Sequence, residues 1–257
     1  MTAVSRRDFL KLGGLSLLST ALLSLEPVTY FFLEQHVIYR IDERYKRIAL
    51  TFDDCHLVSM LHRLEAILED HPKVRLTLFP VGEALLNNET KDPGVWKRFY
   101  EKGHEIGYHS FDHTNPELVS PEGVVADYDR WLDALRAVLG IEPSVRFARP
   151  PFGNTSRSFL YMCAQRGLVP TMWSTGWGGV TENILKYTVP KVQPGDIVLL
   201  HTRPEDVDTT KKALPELAKR GIQPVTLSRM YMDWIKDQNE SAGCELRPTS
   251  MMRTCIE

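Results

Sequence analysis

The stretch IALTFDDCH, residues 48–56, decides how this chain is interpreted. Its first five residues are mostly apolar and predict a buried strand, which ends directly on two adjacent carboxylates, Asp53 and Asp54. Two neighbouring negative charges repel each other, and a bound cation would relieve that repulsion. Cys55 and His56 follow, and both residue types bind metals. The stretch therefore predicts a strand that carries chemistry at its carboxyl end.

Short apolar runs alternate with segments of helical periodicity on the carboxyl side of this strand. Further strands are predicted in VRLTLFPV (74–81), HEIGY (104–108), SVRFA (144–148), LVPTMW (168–173), DIVLLH (196–201) and IQPVTL (222–227). Helices are predicted in residues 57–68, 95–103, 121–140, 156–167 and 209–221. Such alternation is typical of a mainly parallel sheet or an α/β barrel. We predict one α/β domain at residues 46–230, followed by a tail at residues 231–257.

The charge pattern argues against a nucleic-acid partner. The 257 residues carry a formal net charge of −2, and acidic and basic residues are interspersed along the chain. A nucleic-acid-binding chain usually has a basic patch or stripe, and none is evident here.

The first 27 residues differ in character from the rest. SRRDFLK (residues 5–11) precedes an apolar run at residues 12–25, and this combination resembles a twin-arginine export signal. The run is shorter than the roughly 18 or more residues expected of a membrane span. We expect the twin-arginine export machinery to be a partner and the protein to be periplasmic, envelope-bound or extracellular. No clear A-x-A cleavage site follows, so cleavage and membrane anchoring through the N-terminus are both open.

Export would allow disulfides to persist. Cys244 and Cys255 lie close together in the tail, and a bridge between them or two free thiols are equally compatible with the sequence. Cys163 has the spacing of a core residue in its predicted helix. Cys55 is compatible with either a buried thiol or half of a bridge.

Ionisable side chains follow four of the predicted strands. They are Asp53 and Asp54, then His109 and His113, then Arg149, and finally His201. Because the carboxyl ends of parallel strands meet at one face of such a fold, we expect these side chains to lie close together.

The residue types fit a metal hydrolase. His109 and His113 are four residues apart, so one helical turn would place both imidazoles on the same side. An isolated pair at this spacing is common by chance, but a carboxylate from another strand would complete a two-histidine, one-carboxylate set with open positions for water and substrate. We expect a bound divalent cation.

Four motifs in order resemble those of NodB-type polysaccharide deacetylases, carbohydrate esterase family 4. They are TFDD (51–54), GHEIGYHSFDH (103–113), RPPFG (149–153) and GDIVLLH (195–201), and the resemblance spans about residues 47–227. It implies a distorted (β/α) barrel with fewer than eight strands that holds Zn²⁺ or a similar cation.

The resemblance also implies a role for each residue. Asp54, His109 and His113 would be the metal ligands. Asp53, held by Arg149, would be the general base, and His201 would be the general acid. The backbone N–H near Phe152 would donate a hydrogen bond to the oxyanion. Trp177 and Leu199 either line a pocket for the acetyl group or belong to the core.

This chain departs from the family pattern at two places. Cys55-His56 stands where the family has glycine and then proline, so the turn there is expected to differ; we interpret His56 as part of the cleft wall. Gly176 stands where the family has an aspartate that orients the acid histidine. Without that aspartate, His201 would be less well aimed unless another carboxylate replaces it.

These features predict an enzyme that removes N-acetyl groups from an amino-sugar polysaccharide of the cell envelope. Peptidoglycan is the favoured substrate, and chitin-like oligomers are the next candidate. Two alternatives stay open: a non-catalytic, metal-containing carbohydrate-binding protein, and an amidase of the same fold that acts on a small non-sugar amide. The retention of both a base and an acid favours the enzyme.

Overall fold

The computed structural model describes residues 37–41, 45–241, 244–245 and 254–255. Its strands are β1 (Arg47–Asp54), β2 (Thr77–Pro80), β3 (Glu105–Ile106), β4 (Phe147–Ala148), β5 (Val169–Pro170), β6 (Thr175–Gly176), β7 (Ile197–His201), β8 (Gln223–Pro224), β9 (Cys244–Glu245) and β10 (Thr254–Cys255). Its helices are α1 (Val58–Glu69), α2 (Gly82–Lys91), α3 (Val95–Glu101), α4 (Pro121–Leu139), α5 (Arg157–Arg166), α6 (Thr181–Tyr187), α7 (Pro204–Lys219) and α8 (Leu227–Ser241). The sequence pattern did not predict α2, α6, α8, β6, β9 or β10.

The main sheet is parallel and has β1 at its centre. The strand order is β3-β2-β1-β7-β6, and β8 pairs with the first two residues of β1. Parallel strands need crossover connections, which the helices supply. All carboxyl ends therefore lie at one edge, where Asp53 is in register with His201 of the neighbouring strand.

A second parallel pair extends this sheet into a distorted barrel. β4 pairs with β5, and a single bridge from Tyr108 to Ala148 joins the pair to the chain that leaves β3. The α/β class and the distorted barrel that the sequence predicted are confirmed.

The alternation of side chains along each strand produces two apolar cores. The outward residues of β1 and β7 pack under the helices in the larger core: Ile48, Leu50, Phe52, Val198 and Leu200. The inward residues nearer the strand starts form a smaller core inside the barrel: Ala49, Phe79, Phe147 and Ile197. Further along the inward face, polar residues replace apolar ones, so the interior opens into a site at the carboxyl ends.

Helix α8 closes the opposite end of the barrel. Its Leu227 and Met230 are fully buried in the smaller core, with Tyr231 and Trp234 packed beside them. The domain boundary expected after residue 230 falls inside this helix. In the part of the chain that the structure describes, no helix has the length and apolar character needed to cross a membrane.

The remaining sequence predictions concern the four cysteines and the export signal. Cys55 and Cys163 are free, buried thiols. β9 and β10 pair antiparallel with Cys255 opposite Cys244, while their disulfide stays a prediction. The export signal lies outside the described residues.

Candidate metal centre and active site

The turn after β1 presents the first two carboxylates. Asp53 points into the barrel and is buried, and Asp54 is partly exposed at the rim. Asp54 and Cys55 both adopt the left-handed backbone conformation, with φ of 65° and 60°. The Asn88 side chain donates a 2.7 Å hydrogen bond to the carbonyl of Cys55 and so supports this turn. Cysteine here takes a conformation that suits glycine, so the replacement of the family glycine does not prevent a left-handed turn.

An irregular loop after β3 presents the two histidines. The prediction that a helical turn joins His109 to His113 is wrong, because Ser110 and His113 have φ of 62° and 61° and the segment is not helical. Asp127 of α4 holds the loop, accepting hydrogen bonds from the Tyr108 hydroxyl at 2.6 Å and the Phe111 backbone N–H at 2.9 Å. Strained backbone of this kind tends to occur at functional sites, where the surrounding structure maintains it.

The Asp54 carboxylate and the two imidazoles converge on one point. Asp54 Oδ1 is 3.4 Å from His109 Nε2 and 3.3 Å from His113 Nε2, and among the described residues it has no hydrogen-bond partner. A tetrahedral Zn²⁺ with bonds of about 2.0–2.1 Å separates its ligand atoms by roughly 3.3 Å. The spacing and the partnerless buried oxygen therefore fit a metal ion of this kind.

His109 is fixed from behind. Its Nδ1–H donates a 2.8 Å hydrogen bond to the backbone carbonyl of Arg149, which leaves the Nε2 lone pair facing Asp54. Metal-binding histidines commonly have such a partner, because it sets both the tautomer and the ring orientation.

The pKa values of the three groups reflect their proximity. Burial acts to raise the pKa of Asp54, but the imidazole of His109, 3.4 Å away, and the charges of His113 and His201 lower it to about 2. Burial acts to lower the pKa of His109, but Asp53 and Asp54 raise it overall. Burial and the neighbouring His109 lower the pKa of His113. Asp54 is therefore an ionised ligand across the physiological pH range.

Arg149 holds Asp53 in place. The guanidinium is fully buried, and Nη1 donates 2.7 Å hydrogen bonds to Asp53 Oδ1 and Thr51 Oγ1. Nη2 and Nε donate to the carbonyls of Met172 and Thr171 at 2.9 and 3.3 Å. A single bond holds Oδ1, and among the described residues Oδ2 accepts no hydrogen bond; it lies 3.9 Å from His109 Nε2.

His201 ends β7 beside Asp53. Its side chain is 25% exposed, and its Nδ1 lies 3.6 Å from Oδ2 of Asp206. Gly176, on the neighbouring β6, is in register with Leu199.

The three predicted substrate contacts have different environments. Phe152 is 69% exposed, with φ of 59°, and its ring packs against the His113 ring in a T-shaped arrangement at a centroid distance of 4.6 Å. Leu199 is partly exposed on the same face of β7 as His201. Trp177 is fully buried in the larger core, so its assignment to an acetyl pocket is corrected to core packing. His56 is exposed near His113, as expected of a cleft wall.

Sequence reasoning missed four supporting residues: Thr51, Asn88, Asp127 and Asp206. Asn88 lies in a helix that was not predicted, and Asp127 looked like an ordinary surface residue of α4. Thr51 could have been found, because it precedes Asp53 by two residues and so shares its face of the strand.

Comparison with known proteins agrees with this geometry. A model of the family described as polysaccharide deacetylase matches residues 40–170, about half of the chain. The chain belongs to the polysaccharide deacetylase family.

Among the relatives of this family member is a peptidoglycan-N-acetylglucosamine deacetylase of Bacillus cereus. The two are 29% identical over 193 residues, which cover 72% of this chain and 68% of the relative.

Solved structures of family members have the same fold. A peptidoglycan N-acetylglucosamine deacetylase superposes with a TM-score of 0.68 at 25% identity, covering 79% of this chain and 96% of the other. A CE4 family pseudoenzyme from Bacillus anthracis gives a TM-score of 0.66 at 21% identity, covering 75% and 68%. The fold therefore occurs in family members with and without activity, and the site residues must decide between them.

Proposed function

We propose that this protein is a metal-dependent hydrolase that removes N-acetyl groups from an amino-sugar polysaccharide of the cell envelope, with peptidoglycan the favoured substrate. One observation carries the proposal: Asp54, His109 and His113 converge at metal-ligand spacing beside a buried carboxylate that Arg149 holds with one oxygen free. The deacetylase relatives support the choice of reaction and of substrate class.

Asp54, His109 and His113 would hold the metal ion, for which Zn²⁺ is our candidate. When bound, such an ion polarises the acetyl carbonyl and lowers the pKa of a bound water. The orientation of His109 by the Arg149 carbonyl keeps its Nε2 available as a ligand.

Asp53 acts as the general base. Arg149 occupies Oδ1, so the free Oδ2 takes the proton from water as the water attacks the acetyl carbon. We propose that the exposed loop at Phe152 supplies a backbone N–H to the developing oxyanion.

His201 acts as the general acid. It lies opposite Asp53 in the register of β1 and β7, so base and acid come from neighbouring strands. Its protonated ring gives a proton to the amine nitrogen as the C–N bond breaks, and acetate and a free amino sugar are released. A purely carbohydrate-binding role would require neither group.

The proposed location follows from the N-terminal segment. We propose export through the twin-arginine machinery, which would bring the enzyme to the envelope glycan. Fusion of residues 1–36 to a reporter, with Arg6 and Arg7 both replaced by lysine in a control, tests this directly. Export that is unaffected by the double replacement would contradict it.

Acetate release tests the proposed activity. The protein is stripped with a chelator, restored with Zn²⁺, and given peptidoglycan, N-acetylglucosamine oligomers and a small acetamide. We expect zinc-dependent acetate from peptidoglycan and less from the oligomers. Acetate from the small amide alone would favour the amidase alternative, and binding of glycan without acetate would favour the carbohydrate-binding one.

A further inference from the structure

The acid histidine has a buried ring nitrogen without a hydrogen-bond partner. In the part of the chain that the structure describes, Nδ1 of His201 is inaccessible to solvent and bonds to nothing. A buried polar atom of this kind carries a desolvation cost unless a partner satisfies it. A proton donor with a free ring is also poorly aimed, so the partner of Nδ1 matters for the reaction.

Asp206 is placed to be that partner. It lies in the first turn of α7, is 1% exposed, and its Oδ2 is 3.6 Å from His201 Nδ1. The same oxygen accepts a 2.7 Å hydrogen bond from the backbone N–H of His201. A ring movement of about half an ångström would bring Nδ1–H within hydrogen-bonding distance, and catalytic hydrogen bonds often shorten in this way when substrate binds.

The charge environment of Asp206 supports this pairing. Carboxylates are rarely buried unless they are paired, and among the described residues Asp206 forms its ion pair with His201 rather than with lysine or arginine. The N-terminus of α7 favours a negative charge at this position as well. Because Asp206 could serve only to stabilise the N-terminus of α7, a purely structural role is the alternative that an experiment must exclude.

We propose that Asp206 positions His201 for proton donation, with Nδ1–H directed to the carboxylate and Nε2 directed to the leaving amine. This inference rests on the proposed function. In the step itself the imidazolium loses its Nε2 proton to the amine as the C–N bond breaks. The ring then stays neutral and retains the Nδ1 proton that faces Asp206.

Gly176 on the neighbouring strand β6 offers a way to test the positioning of His201 separately from the stability of the protein. Gly176 is in register with Leu199, and residues two apart on a strand share a face, so Gly176, Leu199 and His201 lie on the same side of the sheet. A Cβ added at Gly176 meets no heavy atom within 4 Å. A carboxylate introduced there would lie on the His201 face without a steric clash at its first atom.

The experiment compares Asp206→Asn with a matched control, Asp208→Asn, on the same helix. The amide oxygen in Asp206→Asn can still accept the backbone N–H of His201, whereas Asp208 lies two residues along and pairs with Arg63 at the surface. We expect Asp206→Asn to lower kcat for acetate release by about 10–100-fold, with KM and zinc stoichiometry unchanged. Asp208→Asn should stay within about twofold of wild type.

When Gly176→Asp is added to Asp206→Asn, kcat of the double variant should be at least about tenfold higher than that of Asp206→Asn alone. An Asp206→Asn variant with wild-type kcat would overturn the proposal. So would a double variant that regains thermal stability but not kcat, because that pattern belongs to a structural role.

A readout without turnover separates this inference from the proposed function. In ¹⁵N spectra of the zinc-loaded protein, the His201 signals are assigned by their loss in His201→Gln. We expect the neutral His201 ring to carry its proton on Nδ1 in wild type and to shift toward the Nε2 tautomer in Asp206→Asn. Identical tautomers in both proteins would overturn the role of Asp206, whereas absent acetate release with the expected shift would overturn only the deacetylase assignment.

Discussion

Arg149 shows how much one buried side chain contributes to this site. It carries a charge with no solvent exposure, and its hydrogen bonds join β1 to the segment after β5. Burying a charge is expensive unless it is paired and fully hydrogen-bonded, and here each of the three guanidinium nitrogens has an acceptor. The residue therefore serves the stability of the barrel as well as the position of the base.

Replacing Arg149 should be costly for that reason. Arg149→Met leaves the buried Asp53 without its cation, and we expect a loss of about 3–5 kcal/mol in the free energy of unfolding, measured with urea. Arg166→Met, which removes a more exposed ion pair with Asp129, should cost about 1 kcal/mol or less. Equal effects of the two replacements would show that Arg149 has no special structural role.

Zinc affinity should depend on pH through the histidines rather than through Asp54. The pKa of Asp54 is lowered to about 2, so this ligand stays ionised when the solution is acidified from about pH 8 to about pH 5. The pKa of His109 is raised, so a proton competes with the metal for its Nε2 from a higher pH than usual.

We therefore expect zinc affinity to fall as pH decreases through the imidazole range, when measured by competition with a chelating dye. Asp54→Asn should weaken affinity throughout this range and move its pH dependence to lower pH, because Asp54 contributes to the raised pKa of His109. An affinity that is constant across the imidazole range would contradict this account.

At the level of elements, the order of strands and helices follows from the sequence, but the shape of the active-site loops does not. The spacing of His109 and His113 is compatible with a helical turn as well as with an irregular loop. In the structure an irregular loop brings the two imidazoles together. Positive φ is uncommon at non-glycine residues, and the sequence pattern did not indicate it at Ser110 or His113. Tertiary contacts, here those of Asp127 with the loop, fix this conformation.

Helix α8 illustrates a second limit of the sequence pattern. It follows β8 closely, and the predicted tail begins at residue 231, inside this helix. Its burial depends on the open end of the barrel, which only the assembled structure reveals.

Two methionines of α8 provide a test of its role. Met230 is fully buried in the barrel core, and Met232 is 41% exposed. We expect Met230→Ala to lower the free energy of unfolding by about 2–5 kcal/mol, because it leaves a cavity in the smaller core. Met232→Ala should change it by about 0.5 kcal/mol or less. Similar values for both, measured by thermal and urea unfolding, would mean that α8 is not an integral part of the domain.

For the whole molecule, the alternation of side chains links the sequence to the position of the site. The inward residues of β1 change from Ala49 to Thr51 to Asp53, so the interior is apolar near the strand starts and polar at the carboxyl ends. Because the strands are parallel, this gradient creates one polar edge over an apolar interior. The strand motifs were sufficient to predict this edge and its main residues.

What the sequence could not supply is the set of contacts between distant elements. Asp206 is five residues beyond His201, and nothing in its surroundings distinguishes it from the other acidic residues of α7. The role proposed for Asp206 depends on the distance between its carboxylate, in the first turn of α7, and Nδ1 of His201. Trp177 is a second example. It directly follows β6 on the outward face of the sheet, and this position, rather than its residue type, places it in the larger core.

The most direct test of the central claim is acetate release from N-acetylglucosamine oligomers and peptidoglycan by zinc-restored wild type and Asp53→Asn, with bound zinc measured in the same samples. We predict one zinc per chain in both proteins, zinc-dependent acetate from wild type, and a rate lower by at least about 100-fold in the variant. Wild-type protein that holds zinc and releases no acetate, or a variant as fast as wild type, would contradict the account.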